Sequence, residues 1–167
     1  VAVALVPALE ILGLPEAAAE GYRQVADYRE RAVGAGALPT LQARHAQAGA
    51  LLQAGRPRDA LALVERTLAA AAALTPDDPL RIRLQLDQAE AISALGDRPR
   101  ARTMLEATRK RTIAAHGERD PVSMEATNNL AILLGRMGEA RLGREYMEKL
   151  VPMRTAVLGA DDEKTLD

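Results

Sequence analysis

The sequence predicts an all-α fold of stacked antiparallel helix pairs, and three observations carry that prediction. Gly13, Gly55, Gly96 and Gly138 lie in four similar stretches, ILGLPEAA (11–18), QAGRPRDA (53–60), ALGDRPRA (94–101) and RMGEARLG (136–143), at spacings of 42, 41 and 42. Between them run ALPTL (37–41), DDPLR (77–81), RDPVS (119–123) and ADDEK (160–164), which place Pro39, Pro79, Pro121 and Glu163 at spacings of 40, 42 and 42. Two markers keeping one period identify a repeat array. Composition is the third observation: 48% of residues are hydrophobic but only 2% aromatic, with three Tyr and neither Phe nor Trp. That suits helices packed through Ala and Leu, and it leaves too few strand formers for a sheet.

Each element follows from local chemistry. A first helix, 1–12, is read as the cut end of a longer one. Its VAVALV opening has no basic residues before it, which argues against a secretory leader. Gly13 closes it, because glycine tolerates the left-handed conformation at a helix end. Pro15 opens a helix over 15–33, and the GAGALP stretch (34–39) is a loop before 39–54. A helix over 57–74 carries the stripe Ala60, Leu61, Val64 and Leu68 at helical spacing. Asp78-Pro79 is an N-cap followed by proline at the first helical position, starting a helix over 79–95. Its stripe is Ile82, Leu86, Ala89 and Ile92, widened by Leu84 and Leu95. A helix over 98–115 follows, and Asp120-Pro121 starts 121–137. The helix over 139–158 contains Pro152, which removes a hydrogen bond and crowds the preceding turn, so a kink or break is expected near Met147 to Pro152. The last residues begin a ninth helix.

The chain is thus one array over 1–167, with units near 1–34, 35–75, 76–117 and 118–159, and 160–167 starting another. A helix pair cannot bury its apolar face alone and must stack on neighbours. Both ends of the chain look like cuts through a larger protein.

Several function classes are excluded. Net charge is −1 with 27% charged residues, which favours neither a nucleic-acid binder nor an acidic tail. Cysteine is absent, so there is no disulfide framework or thiolate chemistry, a usage that fits the cytoplasm. No apolar run reaches the eighteen or so residues of a membrane span. His45 and His116 fall in different units and, without Cys, predict no metal site. No cofactor is expected. Ser93 and Ser123 lack a nucleophile-elbow context. GAGALP lacks the third glycine and preceding strand of a dinucleotide fingerprint. Asp77-Asp78 and Asp161-Asp162 are helix-start charges favoured by the dipole. The expectation is a protein that is not an enzyme.

Residues 97–119 stand apart, with Arg98, Arg100, Arg102, Arg109, Lys110, Arg111 and Arg119 against Asp97, Glu106 and Glu118, a net +4. A basic helix can bind phosphates, but no aromatics are interleaved for base stacking. A solvated face is the simpler reading. Arg-over-Lys usage with abundant Ala suggests a GC-rich bacterial genome.

The pattern resembles the tetratricopeptide repeat. After each turn glycine comes a small residue, then a larger one four later: Ala18/Tyr22, Ala60/Val64, Ala101/Leu105, Gly143/Met147. Before it come Ala48/Leu51, Ala89/Ile92 and Ala131/Leu134. The period of about 42 exceeds the usual 34. Together with NNLAILLGRMGEA (128–140) and the loops LTPDDP and LGADDEKT, it is similar to the long repeats of kinesin light chains. HEAT and armadillo repeats have a similar period. The resemblance implies a right-handed α-solenoid, a TPR-like superhelix, that binds a protein or peptide in its concave groove. Its setting would be a larger bacterial signalling regulator.

In such arrays the first helix of each unit lines the groove. At about 100° per residue, Thr127, Leu130, Ala131 and Leu134 share the packed face. Asn128 and its equivalents His45 and Leu86 are then implied to point into the groove. Gln42, Arg83 and Glu125 stand one turn earlier, Gly49, Glu90 and Ile132 one turn later, and Gln53 and Arg136 at the end. An Asn side chain offers donors and an acceptor for an extended peptide; the alternative is an Asn ladder tethering neighbouring helices. Two other readings stay open. Copies could self-associate through apolar ends, Val1 to Leu12 and the helix start after Asp161, or the 98–115 helix could bind nucleic acid.

Overall fold

The structure is a computed structural model that describes residues 2–158, with the side chains of 6–157. Its described residues form α1 (Ala2–Ile11), α2 (Pro15–Val33), α3 (Leu38–Gln53), α4 (Pro57–Ala70), α5 (Pro79–Ala94), α6 (Arg98–His116), α7 (Pro121–Arg136) and α8 (Ala140–Leu158), with no strand among them. The all-α expectation holds, and most helix ends fall within a residue or two of the positions read from the sequence. The expected ninth helix lies outside the described residues.

The cap chemistry explains that agreement. Asp78 accepts from the Leu80 amide at 2.9 Å and Asp120 from the Val122 amide at 2.9 Å, each with proline next in line. These carboxylates take up amide donors that the first helical turn leaves without partners. At the other end, Gly55 and Gly138 adopt φ of 70° and 87°. That reversal lets the Arg56 amide reach the Leu51 carbonyl and the Glu139 amide reach the Leu134 carbonyl, both at 2.9 Å, the bonding pattern of a glycine-closed helix end.

Two expectations are corrected. The α4 helix ends at Ala70, four residues short of the reading. No glycine follows it. Instead the Arg81 guanidinium, from α5, bonds the carbonyls of Ala71 and Leu74, taking acceptors that a longer helix would otherwise use internally. The α8 helix runs unbroken through Pro152. Proline removes the donor for the Glu148 carbonyl, but Glu148 is exposed, so water can serve that carbonyl and the helix need not end.

The chain divides into two compact units, Val1–Gly96 and Asp97–Asp167, the cut falling inside the third sequence pair. In the first unit α1 packs on α2, α2 on α3, α3 on α4 and α4 on α5, while α3 also touches α5. Its core includes Ala18, Ala48, Ala60 and Val64, each fully buried. In the second, α7 packs on both α6 and α8, and Ala101, Leu105, Leu130, Ala131, Leu134 and Leu150 are buried. Small residues at the marker positions allow close approach. At Gly143 a Cβ would lie 2.7 Å from the Ala131 carbonyl oxygen, closer than any side chain can sit. Buried threonines spend their hydroxyls on their own helices, Thr67 on the Leu63 carbonyl and Thr112 on that of Thr108, which leaves no unpaired group there.

Candidate functional site

In the first unit the open faces of α3 and α5 carry the candidate residues. Gln42 and Glu90 are exposed, and His45 and Arg83 are half-buried. The two helices touch, and the contact brings His45 Nε2 to 3.5 Å from Asp87 Oδ2. Arg83, Asp87 and Glu90 recur at spacings of four and three, so they share one side of α5. Arg83 is engaged as well. The face is therefore a polar strip on which Gln42 and Glu90 are exposed.

Leu86 corrects the sequence reading. Counting from the turn glycine makes it the counterpart of His45 and Asn128, yet it is 1% exposed. Burying a leucine side chain is worth about 1.5–3 kcal/mol, and α5 turns that position inward together with Ile82, Leu84 and Ala89. The neighbouring position, Asp87, meets His45 instead, with its side chain largely covered. Sequence reasoning missed Asp87 because it counted registers and did not weigh which residue at the edge of the stripe gains more from burial.

In the second unit α7 presents Glu125, Asn128, Ile132 and Arg136 at helical spacing. Glu125, which is engaged, and Asn128 are half-buried, and Arg136 is exposed. Ile132 is 43% exposed in the middle of this row. The Asn128 and Asn129 side-chain amides make no hydrogen bond to any described residue, so no Asn ladder is present among them. Asn128 therefore stands with its donors and acceptor available beside an uncovered isoleucine.

The remaining readings can be placed on the structure. Among the basic residues, Arg102 pairs with Glu106 at 2.8 Å and Glu139 at 2.6 Å, and Arg109 donates to Thr127 at 3.1 Å. Arg98, Arg100, Lys110 and Arg119 are exposed. At the start of the chain Ile11 and Leu12 are 88% and 69% exposed. The apolar end expected after Asp161, and the side chains of residues 1–5, lie outside what is described. No group of three or more potential metal ligands occurs among the described residues. No described helix is long and apolar enough to cross a membrane. Ser93 and Ser123 are both buried.

Comparison with known proteins agrees with this architecture. Residues 123–163 match the family model of the tetratricopeptide repeat. A putative kinesin light chain from Podosopora anserina with nearly identical TPR-like repeats superposes with a TM-score of 0.71 at 22% identity, over 97% of this chain and 77% of that one. A second crystal structure of that protein gives the same values. BtubC (BKLC) from P. vanneervenii superposes with a TM-score of 0.68 at 16% identity, over 90% of this chain and 61% of that one. No curated protein matches the sequence. At these identities the likeness establishes the fold alone, a helical repeat.

Proposed function

We propose that this chain, whose residues 123–163 match the tetratricopeptide-repeat model, is a non-enzymatic scaffold. It binds peptide or protein segments on the open faces of its first helices, one face on α3 and α5 in the first unit and a separate one on α7 in the second. The observation that carries this reading is Ile132, 43% exposed and one helical turn from both Asn128 and Arg136. An uncovered apolar side chain within a hydrogen-bonding rim is the arrangement of an interface anchor. On α7 Asn128 grips partner backbone, Ile132 buries a partner side chain, and Glu125 and Arg136 set charge and register; on the α3 and α5 face Gln42, His45, Arg83 and Glu90 set them for that face's own segment. The setting is the interaction region of a larger cytoplasmic bacterial regulator, a proposal supported by the cysteine-free, Arg- and Ala-rich composition.

The test is selection from a displayed random-peptide library on the immobilised chain, beside an Asn128→Ala/Ile132→Ser double variant. The expected result is enriched peptides sharing an apolar residue that bind the variant at least tenfold more weakly. Failure to enrich any peptide, or equal binding to the folded variant, would overturn it.

A further inference from the structure

The two units contain one cleft twice, with different chemistry. Gly13, Gly34 and Gly55, all with positive φ, recur as Gly96, Gly117 and Gly138, an offset of 83 residues. Under that offset α2, α3 and α4 of the first unit start at or within a residue of α6, α7 and α8 of the second. In the first unit a cleft lies between α2 and α4 over α3. In the second, a cleft of about 390 Å³ lies between α6 and α8 over α7, on the side of α7 that carries Thr127.

The first cleft holds its own counter-ion. Arg44 Nη2 lies 2.6 Å from Glu30 Oε2. In the second, the position of Glu30 is Ile113 and that of Ala26 is Arg109. Arg44 itself becomes Thr127, so the cation moves from α3 to α6 and the acid that paired with it is replaced by isoleucine. Arg109 is nevertheless held firmly. Its Nε donates to Thr127 Oγ1 at 3.1 Å, and its guanidinium carbon sits 4.9 Å from the centroid of the Tyr146 ring. That leaves the outer edge of the guanidinium, the edge that takes a carboxylate in two parallel hydrogen bonds, with no acceptor among the described residues. Lys149, on the same lining, also has no carboxylate at ion-pair distance there, although Glu118 and Glu148 stand on the lining too. Ile113 and Met153 supply half-buried apolar surface beside these cations. The volume falls within the range of small-ligand pockets.

We propose that this cleft is a binding site for an apolar carboxylate. The carboxylate pairs with the outer edge of Arg109, Lys149 adds charge from the rim, and the aliphatic body covers Ile113 and Met153. The site is distinct from the α7 row bearing Asn128, and in its first-unit counterpart Glu30 already pairs with the cation, Arg44.

The test is NMR titration of the full chain with isocaproate, its uncharged amide, acetate, and a Gly-Gly-Leu peptide acetylated at its N-terminus. Isocaproate is expected to move the Arg109 Nε–H and Met153 methyl signals, with the amide and acetate each at least tenfold weaker. Arg109→Gln should weaken binding at least tenfold and Lys149→Gln severalfold. Because Arg109 also ties Thr127 and Tyr146, the exposed Lys149 variant keeps the test open if the first misfolds. Tighter binding of isocaproate or of the peptide assigns the source as a free acid or a chain end, and either supports the site. Equal binding of acid and amide, signals moving at Arg44 in place of Arg109, or no saturation by either carboxylate probe would overturn it.

Discussion

Arg81 on α5 donates from Nη1 to the carbonyl oxygen of Ala71 at 2.8 Å and reaches that of Leu74 at 3.5 Å. One side chain thereby closes the end of α4, where the chain has no glycine to do so. Hydrogen bonds from a charged donor contribute about 1.5–3 kcal/mol when partly buried, and Arg81 is half-buried. Arg81→Ala is expected to lower stability by about 1–2 kcal/mol, read as a shift in urea midpoint at constant slope. An unchanged midpoint would mean that water serves those carbonyls equally well.

Two glycines inside helices should respond in opposite directions. Gly143 faces the backbone of α7, where an added Cβ would meet the Ala131 oxygen at 2.7 Å. Backbone cannot yield cheaply, so Gly143→Ala should cost about 1–3 kcal/mol. Gly49, inside α3, has nothing within 4 Å of that position. Gly49→Ala should stabilise by about 0.5–1 kcal/mol through lost freedom of the unfolded chain. Chemical denaturation of both variants decides the matter, and a loss of stability at Gly49 would count against the packing described.

Glu20 offers a pH test. Hydrogen bonds from Arg23, then Gln24, hold its carboxyl down from 4.5 to about 2. A depressed folded pKa stabilises the fold fully above the unfolded value. The contribution fades as pH falls from 4.5 towards 2 and is gone below that. The pair is exposed at the surface, so salt should erode the effect. In an NMR titration the Glu20 carboxyl should show its midpoint near 2 in wild type and move back towards 4.5 in Arg23→Gln. A midpoint unaffected by that substitution would remove Arg23 as the cause.

Much of the fold was legible because its punctuation is local. Asp78-Pro79, Asp120-Pro121 and the turn glycines act within a few residues of where they stand, so reading them places the helix ends. The end of α4 was not legible, because its cap comes from Arg81, ten residues further on. Of the candidate site, Gln42, Glu90 and Arg136 could be placed outside from pattern alone. The His45–Asp87 contact could not, since it depends on how α3 meets α5. The second-unit cleft did leave a signal: an offset of 83 sets Glu30 against Ile113 and Ala26 against Arg109. A search at the single period of about 42 passes over it.

Leu86 and Asn128 give the sharpest test of that distinction. Both stand ten residues before a turn glycine, and a repeat alignment treats them as one position. Physically they are opposites, Leu86 being 1% exposed in the core and Asn128 half-buried with an unbonded amide. Leu86→Asn should cost about 3 kcal/mol or more, combining lost packing with a buried amide that has no partner. Asn128→Leu should change stability by no more than about 0.5 kcal/mol while removing the donors available to a peptide. Parallel urea titrations of the two variants read the difference directly. Similar stability losses in both would mean that α7 holds Asn128 in its core and that the binding face lies elsewhere.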